Sequence, residues 1–402
     1  MPLGPFPCKQ VIPPVSASLL IAQRIRDRGP MTVAEFMSIA LYHPEHGYYS
    51  GTAHRTGRSG DFFTSVDVGP LFGRLLARQF AEMWQMLEAP RGDMPLEPGL
   101  DLVEAAAANG QLALDVLSAA AEEAPGFHAA VRLHLVEASP AARAAQPATL
   151  GPHAPRLASS SAKLPNDIHG IVYANELLDA LPVHAVVQTA GGLAERHVSL
   201  DEHDGAPRFI EQIGPLSNDA IGRHLASLGV QLEPGARAEV NLSALAWLTR
   251  ACSALHRGFL VLIDYGHPAD QLYSASHAAG TLTSFVQHVN PADGPADSAP
   301  AWLQHPGTRD ITSHVDLTSV QRVAEALGCE TLGVLDQTYF LMALAGMDRP
   351  GGPALPSDPR SMRAFKTLMM PGGLGSTMKV MVFGRNVGRP LLLGLRGPAR
   401  LT

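Results

Sequence analysis

The stretch Asp101-Leu102-Val103-Glu104-Ala105-Ala106-Ala107-Ala108-Asn109-Gly110-Gln111-Leu112-Ala113-Leu114-Asp115-Val116-Leu117 reads as a short buried strand, a loop of small residues and the opening turns of a helix. Leu102 and Val103 supply the apolar run, Asn109 and Gly110 tolerate positive φ in the turn, and Leu112, Val116 and Leu117 recur at helical spacing on one face. A helix that begins there points unpaired N–H groups at whatever lies above the loop, so the joint suits a nucleotide-bearing ligand.

About 30 residues further on, the interval of a βαβ unit, Leu133-His134-Leu135-Val136-Glu137 repeats the pattern of an apolar strand ending in an acid. Glu137 is placed to accept hydrogen bonds from ribose hydroxyls. A third strand, Gly170 to Ala174, runs into Asn175-Glu176-Leu177-Leu178-Asp179, which puts two acids and an amide at its carboxyl end. Open α/β sheets bind their ligands along that edge.

Composition narrows the class. With 402 residues, 46% of them apolar, the chain has ample material for a full core, and a net charge of -7 with basic residues scattered along it argues against nucleic acid as a partner. Cys8, Cys252 and Cys329 are far apart and odd in number, so no disulfide framework or zinc-finger spacing is indicated. No apolar run is long enough to span a bilayer, and Met1-Pro2-Leu3-Gly4-Pro5 lacks the order of a secretory signal, so membrane insertion is not expected and a cytoplasmic location is.

Toward the amino terminus, Ala17 to Ile25 has a helical pattern that Gly29-Pro30 stops. A second helix follows, with Thr32 as N-cap and Glu35 at capping-box spacing. Next come the turn His43 to Tyr49 and the polar loop Gly57 to Ser65, of a kind that touches ligands or caps helices. Pro70 to Trp84 then forms a long amphipathic helix expected to pack on the sheet. Beyond the third strand, Val183 to Ile213 breaks into short segments separated by Gly191-Gly192 and Asp204-Gly205, read as antiparallel strands. A helix through Leu245, Trp247, Leu248 and Cys252, closed by Gly258, leads into the strand Phe259 to Gly266.

Several of these residues have ordinary structural alternatives. Glu137 equally serves as a neighbour of the N-cap of a helix starting after Pro140, and Asn175, Glu176 and Asp179 equally serve as caps of a helix start. Acids three apart on one turn can also meet a single cation. His288, His314, Asp310 and Asp316 have no fixed mutual spacing, so no metal site is expected and they are read as capping and orienting loops.

Taken jointly, these stretches resemble the MidA-type methyltransferases, the family of the mitochondrial complex I assembly factor that methylates an arginine of a complex I subunit. The residues that carry the likeness are Gly29-Pro30 to Met37, His43-Pro44 with Gly47-Tyr48-Tyr49, Gly60-Asp61-Phe62 with Thr64-Ser65, and Phe72-Gly73. They continue with Val136-Glu137, Ser139-Pro140, Asn175-Glu176, Asp179 to Pro182, Ile263 to Gly266, Gly280 to Leu282, Asp310 to Thr312, His314 to Asp316, and Phe365-Lys366. They span nearly the whole chain in order.

The resemblance implies an α/β fold: a Rossmann-like class I core that uses S-adenosyl-L-methionine, with an N-terminal helical portion and a small antiparallel insertion. Residues 1–95 would form the helical cap and a cofactor-covering loop, and 96–402 the methyltransferase domain, with the insertion at about 183–245. Gly60, Asp61, Thr64, Glu104, Gly110 and Glu137 would hold the cofactor. Glu176, Asp179 and Asn175 would serve catalysis on an arginine of a protein substrate, and a homodimer is compatible with this picture. Ala106 and Ala108 depart from the family pattern, standing where glycines usually let the backbone approach the cofactor. That departure keeps open a rival reading, a binding or assembly protein that retains the fold without turnover.

Overall fold

The computed structural model describes residues 16–50, 65–88, 99–202, 208–285, 300–347, 359–369 and 374–396. Within them the Asp101 stretch folds as its pattern dictates: a strand, β1 (Leu100–Ala105), a five-residue loop, then a helix from Gln111 to Glu123. Six further strands join β1 in one sheet: β2 (Val131–Val136), β3 (Leu157–Ser161), β4 (Ile168–Asn175), β5 (Leu255–His267), β6 (Glu330–Asp336) and β7 (Met378–Arg385). Their order is β6-β7-β5-β4-β1-β2-β3, with Val315–Asp316 pairing beside the end of β5. Only β7 runs antiparallel to its neighbours. The chain moves outward from β1 to β3 and then returns to the other side of β1 for β4, so the topological switch point lies between β1 and β4.

Both faces of the sheet are covered, which is why the strands read as continuous apolar runs. Successive residues point to opposite faces: Leu102 and Tyr173 pack with Phe72, Leu76 and Phe80 of the helix Leu71–Glu88, while Val103 and Val172 pack with Trp247, Leu248 and Cys252 of the helix Leu242–Ala254. The amphipathic helix that begins near Pro70 therefore lies on the sheet as expected. Its Phe80 ring meets Tyr173 with centroids 4.9 Å apart. Truncating Phe80, which is fully buried, should cost about 3–5 kcal/mol and loosen the strand that carries the Tyr173 hydroxyl to the site.

The N-terminal helices, Ala17–Arg28 and Val33–Tyr42, pack on a second, antiparallel sheet made of Met31–Thr32, His184–Thr189, Gly192–Asp201, Arg208–Gly214 and Arg237–Val240. The expected capping box is present: Thr32 Oγ1 accepts from the Glu35 amide at 3.1 Å, and the Thr32 amide donates to Glu35 Oε2 at 3.3 Å. Ile21, Phe36 and Met37 bury against Val183, Ala185 and Val198, which seats the turn after the second helix over the edge of the main sheet. Among the described residues, no helix is long and apolar enough to cross a membrane.

Two sequence expectations are corrected. Gly258 does not close the helix through Cys252, which ends at Ala254; it lies inside β5, where a Cβ would stand 1.8 Å from the Gly170 carbonyl oxygen of β4. And no helix starts after Asn175. Residues 176–183 are irregular, with a turn at Asp179 and Ala180, so helix capping does not account for Glu176 and Asp179.

Candidate active site

A cleft of about 840 Å³ opens at the carboxyl ends of β1 and β4, the switch point of the sheet. One wall is the loop Glu104–Asn109 together with Val136, Glu137 and Ala138; the opposite wall is the turn Asn175–Pro182; Tyr42, Tyr48, Tyr49 and Asp310 close it from above.

The loop after β1 is left-handed at three places, Ala106 (φ 57°), Ala108 (φ 43°) and Gly110 (φ 87°). It is held from β2: the Ala107 amide donates to the Val136 carbonyl at 3.1 Å, and the Ala108 amide donates to Glu137 Oε2 at 2.9 Å. The other carboxylate oxygen of Glu137 accepts from the Ser139 amide at 2.7 Å, so both the loop and the N-terminus of the helix after Pro140 depend on one acid. A carboxylate offers about four lone-pair positions, and two remain for a ligand. Gly110 is absent from the cleft wall; a Cβ there would stand 3.2 Å from Leu135 Cδ1, so this glycine serves the turn and its packing on β2.

Glu104 is buried at the end of β1, where Tyr173 Oη donates to its Oε2 at 2.8 Å. Burial raises its pKa to about 8, against the opposing pull of the Tyr173 hydroxyl and the Ala113 amide. Glu104 thus ties β1, β4 and the first turn of the following helix together at the floor of the cleft.

The opposite wall gathers acids. Asn175 Nδ2 donates to Glu176 Oε1 at 2.8 Å, while Glu176 Oε2, Asp179 Oδ1 and Asn175 Oδ1 are buried without a hydrogen-bond partner among the described residues. Glu176 itself is left-handed, at φ 53°, a conformation a non-glycine residue rarely takes and one often stored at functional sites. Burial first, and then the neighbouring Asp264, lifts the Glu176 carboxyl to about 8, with Asn175 and the Ser65 backbone pulling the other way. Asp179 is raised by burial and by the charges of Asp264, Glu176 and Asp310. Asp264, from β5, braces the turn: its Oδ2 accepts from the Leu177 and Leu178 amides at 3.2 and 2.7 Å. Above them Tyr49 Oη donates to Asp310 Oδ1 at 2.7 Å, and Tyr42 Oη donates to the Ala180 carbonyl at 3.0 Å.

Glu104, Glu137, Asn175, Glu176 and Asp179 therefore meet around one cleft. Gly60, Asp61 and Thr64 lie outside the described residues; Ser65, which follows them, touches Glu176 through its backbone. Sequence reasoning assigns no site role to Tyr42, Tyr49 or Asp264, and reads Asp310 only as orienting a loop. For Asp264 a signal existed, since Ile263-Asp264-Tyr265-Gly266 is a third apolar strand ending in an acid. Tyr49 stands in Gly47-Tyr48-Tyr49, one of the stretches that carry the family resemblance, while Tyr42 has no such signal.

A donor carrying an adenosyl group and an amino-acid tail needs an apolar slot, an acceptor for sugar hydroxyls and room above a tight loop. Ala105, Leu112, Val136 and Ala162 supply the slot, Glu137 lines it with acceptor capacity to spare, and the three left-handed residues turn the loop sharply after β1. The residues present fit such a group.

Comparison with known proteins agrees. Residues 75–335 match the protein family described as "Putative S-adenosyl-L-methionine-dependent methyltransferase". A Burkholderia thailandensis protein crystallised with S-adenosyl-homocysteine is 30% identical, superposes with a TM-score of 0.81, and is covered over 95% of its chain by 96% of this one. The mitochondrial protein arginine methyltransferase NDUFAF7 homolog of Drosophila melanogaster is 26% identical over 89% of this chain and 82% of its own, and the human NDUFAF7 is 26% identical over 84% and 75%. This chain belongs to the MidA-type family of S-adenosyl-L-methionine-dependent methyltransferases.

Proposed function

We propose that the protein transfers a methyl group from S-adenosyl-L-methionine to an arginine side chain of a protein substrate, as the names of its relatives suggest, with a respiratory complex I subunit or its bacterial counterpart as the class that the family resemblance implies. One observation carries this reading: Glu176 and Asp179 each present a buried carboxylate oxygen with no hydrogen-bond partner among the described residues, on the cleft wall opposite the Glu137 loop. Neither makes an ion pair with a lysine or arginine among those residues. A planar cation with several N–H donors is the group that would satisfy them.

The sulfonium of the donor supplies an activated methyl group, so the protein's task is placement and proton handling. Glu176 and Asp179 would pair with a guanidinium and orient one nitrogen toward the Glu137 side of the cleft. The Glu176 carboxyl, lifted to about 8, would ionise on pairing with a cation and could then take up the proton that leaves the alkylated nitrogen. Asp264 holds the turn, and Tyr42 and Tyr49 narrow the opening through which a side chain enters.

A second reading, binding or assembly without turnover, is favoured by Ala106 and Ala108, whose methyl groups sit on left-handed backbone where glycine is easier. Incubation of the protein with methyl-labelled S-adenosyl-L-methionine and complex I subunits, followed by acid hydrolysis, separates the readings. Label in methylarginine is the expected result. Label in another amino acid would overturn the acceptor, and no transfer despite donor binding would favour the assembly role.

A further inference from the structure

We propose that His267, His277 and His314 form a binding site for a divalent transition-metal cation of the zinc type, on segments that also carry Asp264 and Asp310 and independent of the methyl-transfer reading. The three imidazoles come from separate segments: His267 ends β5, His277 ends the short turn Ala275–His277, and His314 lies between the strands Asp310–Thr312 and Val315–Asp316. Each offers one ring nitrogen, and these nitrogens lie within 4.8 Å of one another. Tetrahedral coordination at zinc–nitrogen bonds of 2.0–2.1 Å asks for nitrogen–nitrogen separations of about 3.3 Å, which rotation of the side chains by about an ångström supplies.

The surroundings orient the rings. His277 Nδ1 faces the Gln271 carbonyl oxygen at 2.9 Å, which places its proton there and leaves the Nε2 lone pair for a metal. The His314 amide donates to Thr281 Oγ1 at 3.0 Å, and Thr281 is itself held by Glu239 Oε2 through its amide at 2.7 Å and its hydroxyl at 3.1 Å. His314 Nδ1 is buried with no hydrogen-bond partner among the described residues, a costly state that coordination through Nδ1 would relieve.

The position gives the ion a use. Asp264 lies three residues before His267 on β5, and Asp310 lies four residues before His314. The Ser313 amide donates to the Asp179 carbonyl at 3.0 Å. An ion bound by the three rings would clamp β5 to the segment 310–316 and so fix the acids that both segments deliver to the cleft.

Isothermal titration of zinc chloride into the chelator-stripped full-length protein tests this, with His267→Ala, His277→Ala and His314→Ala as comparisons and circular dichroism to confirm folding. One equivalent should bind, each substitution should weaken binding at least tenfold, and zinc should raise the melting temperature of the unaltered protein alone. Because His277 sits on a surface turn, His277→Ala carries the test if either of the other variants fails to fold. The absence of saturable binding, or one-equivalent binding unchanged in His277→Ala, overturns the site.

Discussion

The backbone amide of Ala108 donates to Glu137 Oε2 at 2.9 Å, so the loop after the first strand is shaped by an acid 29 residues further along the chain. With the Ser139 amide on its other oxygen, Glu137 does two structural jobs before any ligand arrives. Glu137→Ala should therefore lower both stability and affinity for S-adenosyl-L-methionine, each by about 1–3 kcal/mol, and Glu137→Gln, which keeps one acceptor oxygen, should fall between. Melting curves and calorimetric titration measure the pair. Loss of stability with unchanged affinity would leave Glu137 as a brace for the loop and nothing more.

Ala106 and Ala108 carry left-handed backbone that glycine adopts without strain. Replacing both by glycine should raise the melting temperature, by roughly 0.5–1 kcal/mol of stability per site, and tighten donor binding by opening space above the loop. A variant that binds no better than the parent would show that the loop already has room, and would remove the main ground for the assembly reading.

Stability should fall as pH rises from 6.5 to 8. Glu104 and Glu176 are lifted from 4.5 to about 8, so the folded state holds protons that the unfolded chain releases; the stability they contribute is complete at low pH and is lost as pH climbs through about 8. His267 and His314, which burial depresses, act in the opposite direction, but only below their usual value of 6.5. Each raised carboxyl adds a slope approaching about 1.4 kcal/mol per pH unit. Urea unfolding at three pH values should show the decline, and Glu104→Gln should flatten it. An unchanged slope in that variant would mean that Glu104 is ionised in the folded protein.

The sheet was legible because its strands are buried on both faces: Leu102-Val103, Leu133 to Val136 and Phe259 to Ile263 are apolar runs that no amphipathic helix would produce. Helix starts were legible through their caps, as Thr32 with Glu35 shows. On one side of the cleft Glu104 and Glu137 were legible as acids ending two strands at βαβ spacing, and on the other Asn175, Glu176 and Asp179 were legible at the end of the third. What surrounds those last three was not, because it is assembled from distant segments. Asp179 meets Asp264 and Asp310 through sheet pairing and loop packing that local patterns do not encode, and Tyr42 and Tyr49 reach it only because the N-terminal helices dock on the second sheet. Gly258 misled for a related reason: it resembles a helix stop, yet its role is a backbone contact with Gly170 in the neighbouring strand.

The division of the cleft into a donor half around Glu137 and an acceptor half around Glu176 is tested most directly by Glu176→Gln, which keeps the shape and the Asn175 contact but removes the charge. Methyl transfer to the protein substrate and calorimetric affinity for S-adenosyl-L-methionine should be measured on the same preparation. Turnover is expected to fall by about 100-fold or more while donor affinity stays within about twofold. Equal loss of both, or full turnover in the variant, would contradict the assignment of Glu176 to the acceptor.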